Sequence, residues 1–466
     1  MSELRDAGVS QTARAVAAGD VTAREVVDAA LARIESQNPP LNAISQLIAD
    51  RARAEAEDRD AHQESGADLG PLHGVPVVIK EEIAVEGLVT TFGGEANSVP
   101  AAADAEVVRR LRAAGAVIVA TTTMPEFGAF PYTESASRGF THNPWDPSRT
   151  PGGSSGGTAV AVASGMVPVG IGGDGGGSIR IPSACCGLFG LKPQRGRVTS
   201  APNEHLWFAL GTAGPLARSV LDSAMVYDVI RGTLPSDRFH GGETGSFVAA
   251  AEREPGRLRI GWSTTSPLLG VRPDPLHVRA VEETADLLTG LGHDVRHLDL
   301  KYPDVTAAFV PQFFGGIRAE ADAMDHYERL ERRTRETYRL GSWVRPRVLE
   351  WAIAQSEKVA AKAEQMLADV DVLLTPTIAH RPPQIGILDN RGTVASSLVS
   401  QPAIAYCAFW NVAGNPAAAV PCGLAEDGLP LSVQLVGHAD GEPTLLSLAA
   451  QIEAVRPWPT IAPGGQ

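Results

Sequence analysis

The sequence predicts an α/β fold: a central mixed, largely parallel twisted β-sheet covered on both sides by helices. Two patterns support this prediction. Short apolar runs alternate with amphipathic helical segments from about residue 70 to the C-terminus, and the 48 glycines and 34 prolines fall in turns between apolar runs rather than in a repeat. Strands and helices that alternate in this way typically build a sheet with helices on its faces.

The N-terminal region, residues 1–65, is predicted to be helical and to pack on the rest of the chain. Thr22 and Glu25 have the spacing of a capping box, in which each side chain bonds the other's backbone at the start of a helix. The apolar residues that follow fall on one helical face. We therefore expect helices within residues 10–36 and from about 51 to 64.

Residues 70–225 are predicted to hold the core of the sheet. An apolar run ends at Lys80, and two further runs of strand length follow it along the chain. Helical patterns separate the runs. The predicted strands are 75–79, 116–120 and 167–171, and the predicted helices include 107–111 and 155–164.

Residues 256–466 are predicted to complete the sheet, its helices and a cap over the substrate pocket. The predicted strands are 258–262, 295–300, 370–374, 417–421 and 432–436, and the predicted helices are 277–290, 347–368 and 443–454. Residues 305–345, which mix aromatic and charged side chains, are the candidate cap. Since these patterns run along most of the chain, we expect residues 1–466 to form a single domain.

Charge and composition exclude several classes of protein. A net charge of −14 argues against a surface for nucleic acid or anionic membrane, because such surfaces need clustered lysine and arginine. The start of the chain, M-S-E-L-R-D, lacks the apolar core of a signal peptide, and no apolar stretch approaches the ~20 residues of a membrane span. Four cysteines, two of them adjacent, do not make a disulfide framework. We expect a cytoplasmic monomer or homodimer that acts on a small molecule.

Two glycine-rich segments carry the chemistry. Ser154 lies in Pro151–Gly157 and Ser178 in Gly172–Pro182. Glycines let backbone N–H groups approach a ligand closely, and a serine beside such groups has a nucleophile next to an oxyanion hole. Lys80 can supply the base if it is held neutral. Together these residues predict a Ser-Ser-Lys hydrolase.

Two competing motifs fail on their context. Residues 170–175 match the G-x-G-x-x-G dinucleotide fingerprint, but Pro182 should interrupt the helix that must follow, and no acidic residue stands about 20 positions on. His293 and His297 lack a carboxylate or cysteine to complete a metal site. We therefore expect no cofactor and no metal.

Several segments together resemble the amidase signature family. They include the two glycine-rich segments, Leu72–Lys80, Cys186–Pro193 and Asn415–Gly423. Shorter matches are Met124–Phe127, Asn143–Trp145, Gly214–Ser219, Asp371–Thr377 and Asp427–Pro430. Their number and order place the resemblance along nearly the whole chain.

The resemblance implies a role for each matching residue. Ser178 is the nucleophile, Ser154 the bridging serine after a cis peptide bond to Gly153, and Lys80 the base. The oxyanion hole consists of the backbone N–H groups of Gly175, Gly176, Gly177 and Ser178, supported by Ser155, Asp174 and Arg180. The chain departs from the family pattern at Gly175, where a threonine or similar residue is usual, and at Glu81-Glu82, where Asp-Asn is common.

The resemblance leaves the substrate open. It places five aromatic residues at the substrate pockets: Phe127, Phe130, Tyr132, Trp207 and Phe208. Aromatic walls favour neutral, hydrophobic amides, aryl amides or carbamates over free glutamine. The alternative is the glutamine-hydrolysing amidase component of a tRNA-dependent amidotransferase, which needs a partner chain and charged groups around the amino acid. A catalytically dead binding protein is disfavoured because Lys80, Ser154 and Ser178 are all present.

Overall fold

The computed structural model describes residues 6–463. The strands are β1 Ile44–Leu47, β2 Pro76–Lys80, β3 Val117–Thr122, β4 Glu134–Ser135, β5 Gly139–Phe140, β6 Val169–Asp174, β7 Phe189–Lys192, β8 Thr212–Ala217, β9 Arg259–Trp262, β10 Asp294–His297, β11 Val372–Pro376, β12 Ala417–Leu424 and β13 Pro430–Gly437. The helices are α1 Val9–Ala18, α2 Ala23–Leu41, α3 Ala49–Glu64, α4 Glu106–Ala113, α5 Gly156–Ala163, α6 Arg180–Cys186, α7 Val220–Ile230, α8 Phe247–Ala251, α9 Pro275–Gly290, α10 Thr306–Asp322, α11 Arg332–Leu340, α12 Pro346–Leu367, α13 Thr393–Ile404, α14 Ala408–Ala413 and α15 Glu442–Val455.

Strands from both halves of the chain join in one sheet. Its order is β1-β3-β2-β6-β8-β7-β12-β13-β11-β9-β10, and β4 and β5 form a separate hairpin. The group β3-β2-β6 is parallel, as is β11-β9-β10, and the strands between these groups pair antiparallel. The predicted mixed α/β sheet is confirmed, with its parallel pairings in two flanking groups.

Side chains that alternate along the strands form a core on each face. In β2, Val77 and Ile79 join the core beneath α4, α7, α9 and α15, whereas Val78 joins the core beneath α2, α3, α5 and α6. Successive strand residues point to opposite faces, so a strand buried on both faces needs a continuous apolar run. This requirement explains the apolar runs in the sequence and the predicted helices on both faces.

The structure corrects three local expectations. Ile44–Leu47 is an edge strand within the region predicted to be helical, and it pairs antiparallel with β3. Residues 298–300 lie outside β10, which ends at His297. Pro182 does not interrupt α6, because it is the third residue of that helix, where backbone N–H groups lack helical partners in any case.

The cap predicted at residues 305–345 is helical, and it includes α10 and α11. All four cysteines carry free thiols. Within residues 6–463, none of the helices offers an apolar stretch long enough to cross a bilayer.

Candidate active site

The site lies where two parallel neighbours in the sheet end. Strands β2 and β6 pair in register from Val77 with Val169, so their carboxyl ends lie at the same edge of the sheet. Lys80 is the last residue of β2, and Asp174 is the last residue of β6. Ligands in open α/β sheets bind at such edges.

Lys80 is buried and connects two polar groups. Only 1% of the residue is exposed, because it continues a strand that is buried on both faces. Its Nζ donates a 2.8 Å hydrogen bond to Ser154 Oγ and lies 3.0 Å from Glu82 Oε1. The lysine is therefore held in place by a hydroxyl on one side and a carboxylate on the other.

Ser154 follows a cis peptide bond from Gly153 and is also buried. Gly128 approaches it closely: a Cβ at position 128 would lie 2.9 Å from Ser154 Oγ, and Gly128 has a φ of +65°. A side chain at position 128 would therefore be strained and would crowd the serine.

Ser178 is partly exposed and lines the same cavity as Lys80 and Ser154. The Ser155 N–H donates a 3.2 Å hydrogen bond to the Ser178 carbonyl, which ties the two glycine-rich segments together. Within residues 6–463 no hydrogen bond joins the hydroxyls of Ser154 and Ser178. Such links often tighten only when substrate binds.

A buried network supports the loop that carries Ser178. Arg180 bonds both carboxylate oxygens of Asp174 at 3.0 Å, and Asn411 Nδ2 donates to Asp174 Oδ1 at 2.8 Å. Burial alone would raise the pKa of Asp174, but the positive charge and hydrogen bonds of Arg180 hold that pKa well below its usual value. Asp174 is therefore a permanent anion that anchors the loop.

This network removes one predicted donor from the oxyanion hole. The Gly177 N–H donates a 2.7 Å hydrogen bond to Asp174 Oδ1 and is thus committed to the loop. The backbone N–H groups of Gly175, Gly176 and Ser178 remain the candidates. Ser155 has a similar supporting role, because its Oγ donates to the Gly173 carbonyl at 3.2 Å.

A second cavity, of about 340 Å³, also adjoins Ser178, and we call it the apolar cavity. Among the described residues that line it, none is charged. Its aromatic and aliphatic lining is Phe130, Ile181, Trp207, Phe309, Val310, Phe313, Phe314, Leu340, Val394, Leu398 and Ile404. Helices α10 and α13 supply most of these side chains, and both helices lie outside the segments that resemble the amidase signature family.

The cavity lined by Lys80, Ser154 and Ser178, which we call the catalytic cavity, is acidic on the side away from the apolar cavity. Glu82 and Glu320 line it together with Lys80, Ser154 and Ser178, and both carboxylates also line an adjoining cavity of about 260 Å³. Burial, and to a lesser extent the charge of Glu82, raises the pKa of Glu320 to about 7. Glu320 was not predicted from the sequence, whereas the departure from the family pattern at Glu81-Glu82 was an available signal for Glu82.

The neighbouring Glu81 has a structural role instead. Its carboxylate accepts hydrogen bonds from the side chains of Ser45 and Thr91 and from the backbone N–H of Met124. These donors satisfy a fully buried group. The two adjacent glutamates therefore differ in function, because one is enclosed by donors and the other lines the cavity.

The structure brings three of the five predicted aromatic residues to the site. Phe127 and Trp207 line the catalytic cavity, and Phe130 and Trp207 line the apolar cavity. Tyr132 lies in a separate cavity, where its hydroxyl donates to the Val399 carbonyl at 3.1 Å. Phe208 also lines another cavity and packs on His205 at 4.0 Å between ring centroids. Side chains that are close in sequence within a turn can point in different directions. Residues of one segment therefore need not line the same cavity.

Three aromatic residues around the catalytic cavity adopt left-handed backbone conformations. Phe92, Phe127 and Trp207 have φ values of +50°, +52° and +49°. Such values are strained for bulky residues and cluster at functional sites, where the surrounding packing enforces them. For Trp207 the close neighbour is Gly175, because a Cβ at position 175 would lie 2.9 Å from the indole ring.

Several known proteins are similar to this chain along almost its whole length. The family model described as Amidase matches residues 25–446. A Mycobacterium tuberculosis protein named "Putative amidase AmiB2" is 47% identical over 459 residues, 98% of either chain. A Chloroflexus aurantiacus protein, one of the chains of a glutamyl-tRNA(Gln) amidotransferase, is 35% identical over 499 residues, 99% of either chain. The structure of 6-aminohexanoate cyclic dimer hydrolase with its substrate superposes with a TM-score of 0.89 at 31% identity, covering 97% of this chain and 98% of that one.

Proposed function

This chain belongs to the amidase signature family and is a hydrolase that acts on amides, and we propose that it cleaves amides, aryl amides or carbamates through an acyl-enzyme on Ser178. The observation that carries the proposal is the position of Ser178. It lines a cavity with the hydrogen-bonded pair Lys80–Ser154 and also lines the apolar cavity. Ser178 thus has a hydroxyl that can act as a nucleophile, shares a cavity with the Lys80–Ser154 pair, and adjoins space for an uncharged group.

In the proposed mechanism, neutral Lys80 takes a proton from Ser154, and Ser154 takes one from Ser178. Ser178 Oγ then attacks the substrate carbonyl carbon. The negative charge that develops on the carbonyl oxygen is stabilised by backbone N–H groups of Gly175, Gly176 and Ser178. The protons return along the same path to the leaving nitrogen, and water hydrolyses the ester on Ser178.

The apolar cavity supports a hydrophobic substrate group. Burial of an aromatic or alkyl group against these side chains is favourable by roughly 25 cal/mol for each Å² removed from water. A carbamate differs from an amide by one alkoxy oxygen on the acyl carbon, and the same attack and leaving group apply. We therefore include aryl carbamates with amides and aryl amides.

The glutamine-hydrolysing component of an amidotransferase is the second candidate, and the 35% identity to the Chloroflexus aurantiacus protein favours it. That activity requires a cation to hold the α-carboxylate of glutamine. Among the described residues that line the catalytic and apolar cavities, Lys80 is the one basic side chain, and the proposed mechanism uses it as the base. The cavity lining therefore favours the first candidate.

We expect the isolated chain to hydrolyse para-nitroanilides or aryl carbamates faster than glutamine, without a partner protein. The reason is the apolar cavity beside Ser178. A screen of purified protein against para-nitroanilides, aliphatic amides, aryl carbamates and glutamine measures this directly. Preference for glutamine, or activity that needs a partner chain, would support the amidotransferase role instead.

We expect Trp207→Ala to raise KM for aryl substrates by about tenfold, because the indole lines both the catalytic and the apolar cavities. Its ring also meets the Phe313 ring edge-on at 5.4 Å. Tyr132→Phe is the matched control, since Tyr132 lies in a different cavity. Steady-state kinetics with one aryl amide compares the two variants. An equal rise in KM for both would place the substrate elsewhere.

A further inference from the structure

We propose that Glu82 and Glu320 form a subsite for a cationic nitrogen of the substrate, and we call this pair the acidic subsite. The inference rests on the proposed function and adds a substrate class to it. Substrates of this class carry an ammonium group on one side of the scissile bond and an apolar group on the other. Two sources fit this chemistry: the amide of a diamine, and the amide of an amino acid.

The acidic subsite faces the catalytic groups. Glu82 and Glu320 line the cavity that contains Lys80, Ser154 and Ser178, and they also line the adjoining cavity, whose lining includes neither Ser154 nor Ser178. The Glu82 carboxylate also lies against Gly173, where a Cβ would be 2.1 Å from Glu82 Oε1. A substrate held at Ser178 can therefore reach both carboxylates.

Negative charge exceeds positive charge in this part of the site. The Lys80 amine lies 3.0 Å from Glu82 Oε1, whereas the Glu320 carboxylate has no hydrogen-bond donor or basic partner of its own within residues 6–463. Along the described lining of the two shared cavities, Lys80 is the sole basic side chain. A largely buried carboxylate without a partner is costly, and a cation that enters the cavity removes that cost.

Other buried glutamates show how this chain satisfies a structural carboxylate. Glu81 accepts three hydrogen bonds from the protein, and both oxygens of Glu134 accept one, from the Gly386 N–H at 2.9 Å and the Leu388 N–H at 2.8 Å. Glu320 has no such donors and faces a cavity instead. The difference indicates that its partner comes from outside the chain.

The two sides of Ser178 then complement each other. The apolar cavity takes the uncharged part of the substrate, and the acidic subsite takes the ammonium group by charge-assisted hydrogen bonds. Free amino acids are poor ligands for this arrangement, because their carboxylate would face Glu82 and Glu320.

The first test compares substrates of matched size. One pair is the benzamide of 1,4-diaminobutane and N-pentylbenzamide, with the cation on the leaving amine. The other is the para-nitroanilide of 4-aminobutanoate and that of pentanoate, with the cation on the acyl part. We expect kcat/KM for the cationic member of at least one pair to exceed that of its neutral isostere by about tenfold or more. The pair that shows the preference identifies the source of the ammonium.

The variant Glu320→Gln keeps the shape of the side chain and removes its charge. We expect it to reduce the ratio of cationic to neutral kcat/KM by about tenfold, whereas Glu328→Gln, on an exposed glutamate outside these cavities, leaves the ratio unchanged. Hydrolysis of neutral amides with no preference for a cation, or an unchanged ratio in Glu320→Gln, overturns the acidic subsite alone. A wild-type protein that cleaves none of the four amides overturns the proposed function.

Thermal unfolding separates a binding role for Glu320 from a structural one. Glutamate has a pKa near 4.5 in the unfolded chain and about 7 at position 320 in the fold. The unfolded chain therefore loses this proton first, and the stability of the fold falls as pH rises from about 4.5 to 7. We expect Glu320→Gln to raise Tm at pH 8 and to leave it nearly unchanged at pH 5. A lower Tm at both pH values would show that the carboxylate supports the fold, and would overturn the acidic subsite.

Discussion

Replacement of Ser178 with alanine is expected to abolish turnover, with a loss in kcat on the order of 10⁴-fold or more. The hydroxyl is the proposed nucleophile, and the structure places it in one cavity with Lys80 and Ser154. Without it the protein can still bind substrate but cannot form the acyl-enzyme. The measurement is the steady-state rate on the best amide from the substrate screen.

A chemical label tests the same assignment independently. A serine-reactive phosphonate should modify the wild-type protein at Ser178, as located by peptide mass spectrometry, and should not modify Ser178→Ala. Ser164→Ala is the control, because Ser164 is buried at the end of α5 and bonds the Val160 carbonyl within its own helix. A label on Ser154 or Ser155, with Ser178→Ala still active, would refute the assignment.

Lys80→Ala is expected to lower kcat/KM by about 10³-fold or more, because it removes the terminal proton acceptor. The same substitution also leaves Glu82 without its 3.0 Å partner, so Tm must be measured alongside activity. Lys362→Ala, at an exposed lysine of α12, should retain full activity. A folded Lys80→Ala protein with near wild-type activity would contradict the proton path.

The pH profile distinguishes a catalytic Lys80 from a merely positioning one. Only a neutral amine can accept a proton, so kcat/KM of the wild type should rise with pH. In Lys80→Ala the residual rate should lose that rise and should increase instead when small amines are added at constant pH. A profile that follows a histidine-like group in both proteins would argue for a different base.

Much of the sheet was predictable because its strands are buried on both faces. Strands such as β2, β3 and β11 start with apolar runs, because burial on two faces favours apolar side chains at successive positions. Their polar residues, Lys80, Thr121, Thr122 and Thr375, stand at or next to the carboxyl end of each strand. The two strands β7 and β8 were not predicted, although they lie in the middle of the sheet. The first has four residues including Gly190, and the second contains Gly214 and Pro215, which are depleted in strands.

The sequence by itself determined which chemical groups are candidates for the site. Lys80 ends a buried run, and Ser154 and Ser178 lie in segments whose glycines allow close backbone contact, so local residue types sufficed to propose these three residues, which line one cavity in the structure. These signals are local because a strand end and a glycine-rich loop depend on neighbouring residues.

Only the tertiary structure decided which side chains surround those groups. It brought Glu320 of α10 and the apolar side chains of α10 and α13 to Ser178, and it turned Tyr132 and Phe208 into other cavities. It also committed the Gly177 N–H to Asp174. Helix packing and side-chain direction depend on contacts between distant parts of the chain, so the spacing of residues along the sequence does not reveal them.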